Sequence, residues 1–164
     1  MADPGIEKLV ERATELAQQR CLDDAAALLD EVLTAHPEHL RALDVLGFVR
    51  FFQQRYAEGE ALCRRALVIK PDHAYAHKGL GLHLAKQGKL DDGVAMLERA
   101  IELNPTWLDP YWDLAVTLFE AGQHERALAV LERGASAIPA ERPRLTAFQR
   151  RIATAVRSAA DRGQ

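Results

Sequence analysis

Histidine pairs are the first residues in this chain that could do chemistry. His73 and His77 stand four residues apart, the spacing that puts two imidazoles on one face of a helix, where they could share a metal ion. No third ligand accompanies them, because His83 falls ten residues past His73, a poor angular match on the same helix. Cys21 and Cys63 lack any zinc-type spacing, and free thiols are their expected state. Gln87-Gly88-Lys89 has the look of a phosphate loop, yet Gly88 is matched by Gly122 and both read as turn glycines. No complete glycine-rich phosphate motif and no nucleophile elbow occurs. We therefore assign no catalytic residue, no metal ligand and no cofactor, and the chain reads as non-enzymatic.

Composition narrows the remaining classes. The 164 residues are 48% hydrophobic and 27% charged, ordinary for a globular domain or one short helical array. The net charge of −3 is unevenly spread: six arginines against Glu141 and Asp161 give residues 141–164 a charge of +4, leaving −7 for residues 1–140. An acidic body of this kind lacks the electrostatic footprint of a nucleic-acid binder. The apolar runs are far shorter than the roughly 18 residues of a membrane span. MADPGIEKLVERATEL has no secretory-type apolar core, so a cytoplasmic location is expected.

What would position functional residues is a repeat. Pro37, Pro71, Pro105 and Pro139 are spaced 34 residues apart, and small residues recur at the same offset: Ala13, Gly47, Gly81 and Ala115, then Ala25, Gly59, Gly93 and Ala127. Glycine inside a helix costs about 1 kcal/mol relative to alanine. Its recurrence therefore implies helices crossing too closely for a larger side chain. Leu46, Leu80 and Leu114, with Leu29, Cys63, Leu97 and Leu131, supply the bulk around these contacts. Arg12 and Arg50 depart from the apolar pattern, and at the second of them Phe51 or Phe52 is expected to share the packing.

This pattern resembles the tetratricopeptide repeat, W-x2-L-G-x2-Y, then A-x3-F, then P. The fourth copy carries it as Tyr111, Leu114, Ala115, Leu118, Ala127, Leu131 and Pro139; the third as His77, Leu80, Gly81, Leu84, Gly93, Leu97 and Pro105. The resemblance implies an all-α fold, a right-handed superhelical solenoid of four such helix-turn-helix repeats plus a C-terminal capping helix. Residues 1–139 hold the repeats, at about 6–39, 40–73, 74–107 and 108–141. Paired helices are predicted over 4–19 with 23–35, 39–53 with 57–69, 73–86 with 91–103, and 107–120 with 124–137. Asp3-Pro4-Gly5 reads as the first helix start, and Asp23, Asp91, Asp72 and Thr106 as helix caps. Residues 140–164 form a basic amphipathic capping helix and tail, read as out of register with the repeats. There Leu145, Phe148, Ile152, Val156 and Ala159 share a face opposite Arg144, Arg150, Arg151 and Arg157.

The resemblance also implies that the first helix of each pair lines a concave face. On that register the binding residues would be Arg41, Asp44, Phe48, Phe52, Tyr75, Lys78, Leu82, Trp112, Val116 and Phe119, with Val10, Thr14, Ala17, Phe51, Ala85 and Asp109 also inward. Six of the ten aromatic residues fall in this set, more than core packing demands. The expected partner is an apolar peptide or helix of another protein, with Trp112 and Tyr75 as the preferred anchors. Trp112→Ala is expected to remove binding without changing the melting temperature. Two other readings stay open: a self-assembling scaffold that forms homo-oligomers, and the regulatory repeat segment of a longer enzyme. With Asn104 its single asparagine, the chain carries neither the asparagine ladder of glycosyltransferase arrays nor the asparagine-and-lysine clamp of co-chaperones.

Overall fold

The computed structural model describes residues 4–162, with side chains described from Pro4 to Ser158. Asp3 and the tail from Gly163 lie outside the described residues, and so do the side chains of Ala159 and Asp161. Nine α-helices are found among the described residues: α1 (Pro4–Gln18), α2 (Leu22–Ala35), α3 (Leu40–Phe52), α4 (Tyr56–Ile69), α5 (Ala74–Lys86), α6 (Leu90–Leu103), α7 (Leu108–Glu120), α8 (His124–Ala137) and α9 (Arg142–Arg162). Their order is that of four helical hairpins followed by one long helix. Each helix packs on the next in sequence, and α1, α3, α5 and α7 also touch one another in succession. The odd-numbered helices therefore form an inner layer and the even-numbered ones an outer layer. Among the described residues no helix is long and apolar enough to cross a membrane.

The hairpin turns explain where these helices stop. Arg20, Gln54, Gly88 and Gly122, again spaced by 34, all have positive φ, at 66°, 59°, 81° and 75°. In each turn the following residue's N–H reaches back to the carbonyl five residues earlier, as Cys21 does to Leu16 and Gln123 to Leu118. This is the Schellman geometry, for which glycine is the least strained residue. Arg20 and Gln54 adopt it despite carrying a side chain. The tight turn places the starts of α2, α4, α6 and α8 at residues 22, 56, 90 and 124, so Asp23 and Asp91 lie inside the first turn. They act there on the helix dipole and not as caps. Asp72 and Thr106 are likewise displaced, since the N-cap places fall on His73 and Trp107. At the corresponding place before α3, His39 caps with its own ring, Nδ1 accepting from the Ala42 N–H at 3.2 Å.

The linker prolines leave carbonyl groups that the repeats satisfy in different ways. Tyr111 Oη donates to the Pro105 carbonyl at 3.0 Å, and His77 Nε2 donates to that of Pro71 at 2.9 Å. Leu43 occupies the matching position one repeat earlier and cannot donate. Arg65 of α4 reaches the Pro37 carbonyl instead, at 2.8 Å. His77 is thus a linker clasp, while the His73 ring points to Asp44 at 2.8 Å.

Departures from the repeat pattern have physical explanations. Arg50 is almost fully buried, and its guanidinium sits between Asp30 at 3.0 Å and Glu58 at 3.3 Å with Gln53 at 2.8 Å. It tethers α2 to α4 through paired charge, so no phenylalanine is needed to replace it. Arg12 stands where later copies have leucine; it is exposed and pairs with Glu15. At the other end α9 begins at Arg142, 34 residues after Leu108, so it retains the repeat spacing that its sequence had obscured. Its Leu145 and Ile152 are fully buried in the positions of Tyr111 and Leu118. Gln149 stands where the other copies carry glycine or alanine, and its side chain bonds to the Leu128 carbonyl at 3.4 Å.

Candidate functional site

A cavity of about 380 Å³ opens on the inner layer, lined by α3, α5 and α7 with Cys63 of α4 also contributing. The repeat spacing orders its walls into rows. Asp44, Lys78 and Trp112 form one row; Phe48, Leu82 and Val116 form the next; Phe52, Lys86 and Glu120 form the third. An apolar row thus runs between two charged ones. Among the ten residues expected from the sequence, Asp44, Phe48, Phe52, Tyr75, Lys78, Leu82, Trp112 and Val116 are brought together here. Arg41 and Phe119 lie outside the lining. The Arg41 guanidinium leans toward Glu7 and Glu11 of α1, and Phe119 packs against His124 with ring centroids 5.1 Å apart. Further inward residues also prove to be core: Val10 and Ala17 are buried within the first two hairpins.

The aromatic residues divide into covered and open ones. Tyr75 lies between His73 and Trp107, stacked on the latter at 6.0 Å with 17° between the planes. Burial pushes its phenol up to about 12. Trp112 stacks on Phe148 of α9 at 4.4 Å, and the Arg144 guanidinium lies 5.3 Å from its ring centre. Its substitution would disturb the seat of α9, so Trp112→Ala is expected to lower the melting temperature, where the sequence alone suggests no change. Trp107 escaped the sequence reading because it precedes its helix; the signal was the 34-residue register that aligns it with the rings of His39 and His73. Phe51 packs inward on Tyr56 and His83, with ring centroids 5.6 Å away in both cases. Phe48 and Phe52, in edge contact at 4.7 Å, remain 39% and 38% exposed. The other large exposed apolar side chains among the described residues, Val68 and Ile69, belong to α4 on the outer layer.

Charges in the cavity are paired unequally. Lys86 meets Glu120 at 2.7 Å, while Lys78 is shared between Asp113 at 3.4 Å and Asp109 at 4.0 Å. Burial raises the Asp113 carboxyl above the usual range even though Lys78 opposes it, and burial raises Asp44 against the opposing His73. Cys63, His83 and Asp44 share the cavity wall and invite comparison with a thiol nucleophile and its base. Burial pushes the Cys63 thiol up to about 12, with Asp44 and Glu60 adding to the effect, so at neutral pH it carries a proton and does not attack. Burial also lowers the His83 imidazole to about 4, against the Gly47 carbonyl and Glu60, and keeps it neutral.

His83 links this site to pH. Its folded value lies below the ordinary 6.5, so the unfolded chain binds the proton more readily and stability falls as pH drops through the interval from 6.5 to 4. The shift corresponds to about 3 kcal/mol by pH 4. Asp44 and Asp113, with raised values, act in the opposite sense in acid. Urea titrations at pH 7, 5.5 and 4 should show His83→Leu losing about 3 kcal/mol less than wild type over that range. Equal slopes would mean that the ring is solvated or protonated in the folded chain.

Tetratricopeptide repeat models match the sequence over residues 84–152 and, with a second model, over 10–74 and 53–107. The chain belongs to the tetratricopeptide repeat family. Such arrays are protein-interaction scaffolds, and the helical order described above is theirs. No curated protein matches in sequence. Among solved structures, a thermophilic tetratricopeptide protein of Thermus thermophilus is 14% identical over 92% of this chain and 82% of its own, with a TM-score of 0.79. MamA from Desulfovibrio magneticus RS-1, residues 41 to the end, is 21% identical over 80% of this chain and 75% of its own, with a TM-score of 0.70. The Thermobaculum terrenum O-GlcNAc transferase is 24% identical over 83% of this chain but only 27% of its own, with a TM-score of 0.75. At these identities the likeness is one of fold.

Proposed function

We propose that this tetratricopeptide array is a non-enzymatic adaptor that holds an apolar peptide or helix of a partner protein in the groove formed by α3, α5 and α7. The observation that carries the reading is the exposure of Phe48 and Phe52 at the edge of a cavity whose central row, Phe48, Leu82 and Val116, is apolar. The part of each ring left in water on a concave face gains nothing from burial; covering it with a partner removes apolar surface from water at about 25 cal/mol per Å². Self-assembly through the ends of the array receives less support. Arg12 and Glu15 face outward at the first hairpin, and Leu145 and Ile152 of α9 occupy the last hairpin's apolar side.

The test is capture of partners from lysate on the immobilised chain beside a Phe48→Ala/Phe52→Ala variant. The two rings are 39% and 38% exposed and pack on one another, so circular dichroism and melting of the variant are measured first and the capture is read at a temperature where both chains are fully helical. Truncating two anchoring rings should weaken a retained partner by about 30-fold or more. If both chains retain the same proteins equally, the groove is not the binding face.

A further inference from the structure

We propose that the groove selects a partner segment that is cationic as well as apolar, with an aliphatic or aromatic side chain against Phe48 and Leu82 and an arginine or lysine directed to Asp113 and Asp44. The inference rests on the groove reading above and adds the charge of the occupant.

The argument is one of unbalanced charge in a partly desolvated place. Asp44, Asp113 and Glu120 line the cavity with Lys78 and Lys86, and Asp109, outside the lining, lies 4.0 Å from Lys78 Nζ. Three carboxylates of the lining therefore face its two ammonium groups. Glu120 has Lys86 to itself, but Asp109 and Asp113 divide Lys78, and Asp44 has only the His73 imidazole. Lys78 Nζ lies 3.4 Å from Asp113 Oδ2, and the Asp113 side chain remains a quarter exposed. Burying a carboxylate without full pairing is costly, and a cation entering from the groove would offset that cost. An acidic segment would meet repulsion in the same place.

The rings favour the same sign. The chain's own cations already lie over the aromatic faces around the groove: Arg20 is 4.2 Å from the Phe52 ring centre, Lys78 is 5.3 Å from those of Tyr75 and Trp107, and Arg144 approaches Trp112. Aromatic faces attract cations through their quadrupole. A partner arginine near Phe48 would continue this arrangement. The opening extends across three consecutive repeats, which suits a length of polypeptide better than a small cation.

A random dodecapeptide library displayed on phage, panned against the whole chain and counter-screened on Phe48→Ala/Phe52→Ala, tests the proposal. The expected result is that groove-dependent peptides are enriched in arginine or lysine beside an apolar residue. Synthetic versions should lose about tenfold or more in affinity when that basic residue becomes glutamine. Asp113→Asn and Asp44→Asn should produce a similar loss, and the protein and peptide changes should not add, because each removes the same contact. Replacing the basic residue in the peptide leaves the protein's folding untouched. Groove-dependent peptides without basic residues, or basic peptides indifferent to both aspartates, would overturn the charge inference while leaving the groove reading in place. If no selected peptide depends on Phe48 and Phe52, both fail together.

Discussion

Gly81→Ala should destabilise the protein by about 1–3 kcal/mol, although alanine is the better helix former by about 1 kcal/mol. A Cβ at residue 81 would lie 2.7 Å from Leu97 Cγ and 2.8 Å from the carbonyl oxygen of Gly93. The contact is reciprocal, since a Cβ at residue 93 would lie 2.8 Å from the Gly81 carbonyl and 3.0 Å from the Ala85 nitrogen. Backbone atoms on both sides cannot swing away as a flexible side chain can, so α5 and α6 would have to separate. Leu97 and Leu84, both buried in that contact region, would then lose packing. Gly47→Ala is the control: its Cβ would meet Cys63 Sγ at 3.6 Å, an ordinary contact, and the helix gain should leave it neutral or slightly stabilised. Urea unfolding of the two variants checks the pair. Equal effects would show that the α5–α6 crossing is not set by its glycines.

The same glycines show how far the sequence could be read. Their 34-residue spacing announced close helix crossings, and the crossings are there, but the sequence could not say that only the third pair needs glycine on both sides. At Gly59 the occupant is a different group altogether, the His83 ring from the next hairpin, which a Cβ would overlap. That contact joins neighbouring repeats and has no counterpart at the same offset, so periodicity is blind to it. The groove has the same division. Register alone gathers Asp44, Lys78 and Trp112 into one row. What covers each ring depends on residues outside the register: Trp107 from a linker lies on Tyr75, and Phe148 from α9 lies on Trp112. The rings left open in the groove are therefore Phe48 and Phe52, and not Tyr75 and Trp112, which the inward register favours.

Leu145→Ala should cost about 2–5 kcal/mol, the range for emptying a fully buried leucine site. The size of the effect follows from what α9 covers. Leu145 and Ile152 complete the core made by α7 and α8, where Tyr111, Leu114 and Leu131 would otherwise face water at the end of the array. A terminal unit with a polar outer face is what a stacked array requires. The exposed Arg150 and Arg151 supply that face, so Arg150→Ala should change stability by no more than about 0.5 kcal/mol. Because Phe148 lies on Trp112, unseating α9 should also bare that indole, and acrylamide quenching of tryptophan fluorescence should rise in Leu145→Ala and stay unchanged in Arg150→Ala. Matching stabilities for the two variants would mean that α9 is not seated as a cap. A large loss with unchanged quenching would separate the two roles, leaving α9 as the end of the core but not as the wall that closes the groove beside Trp112.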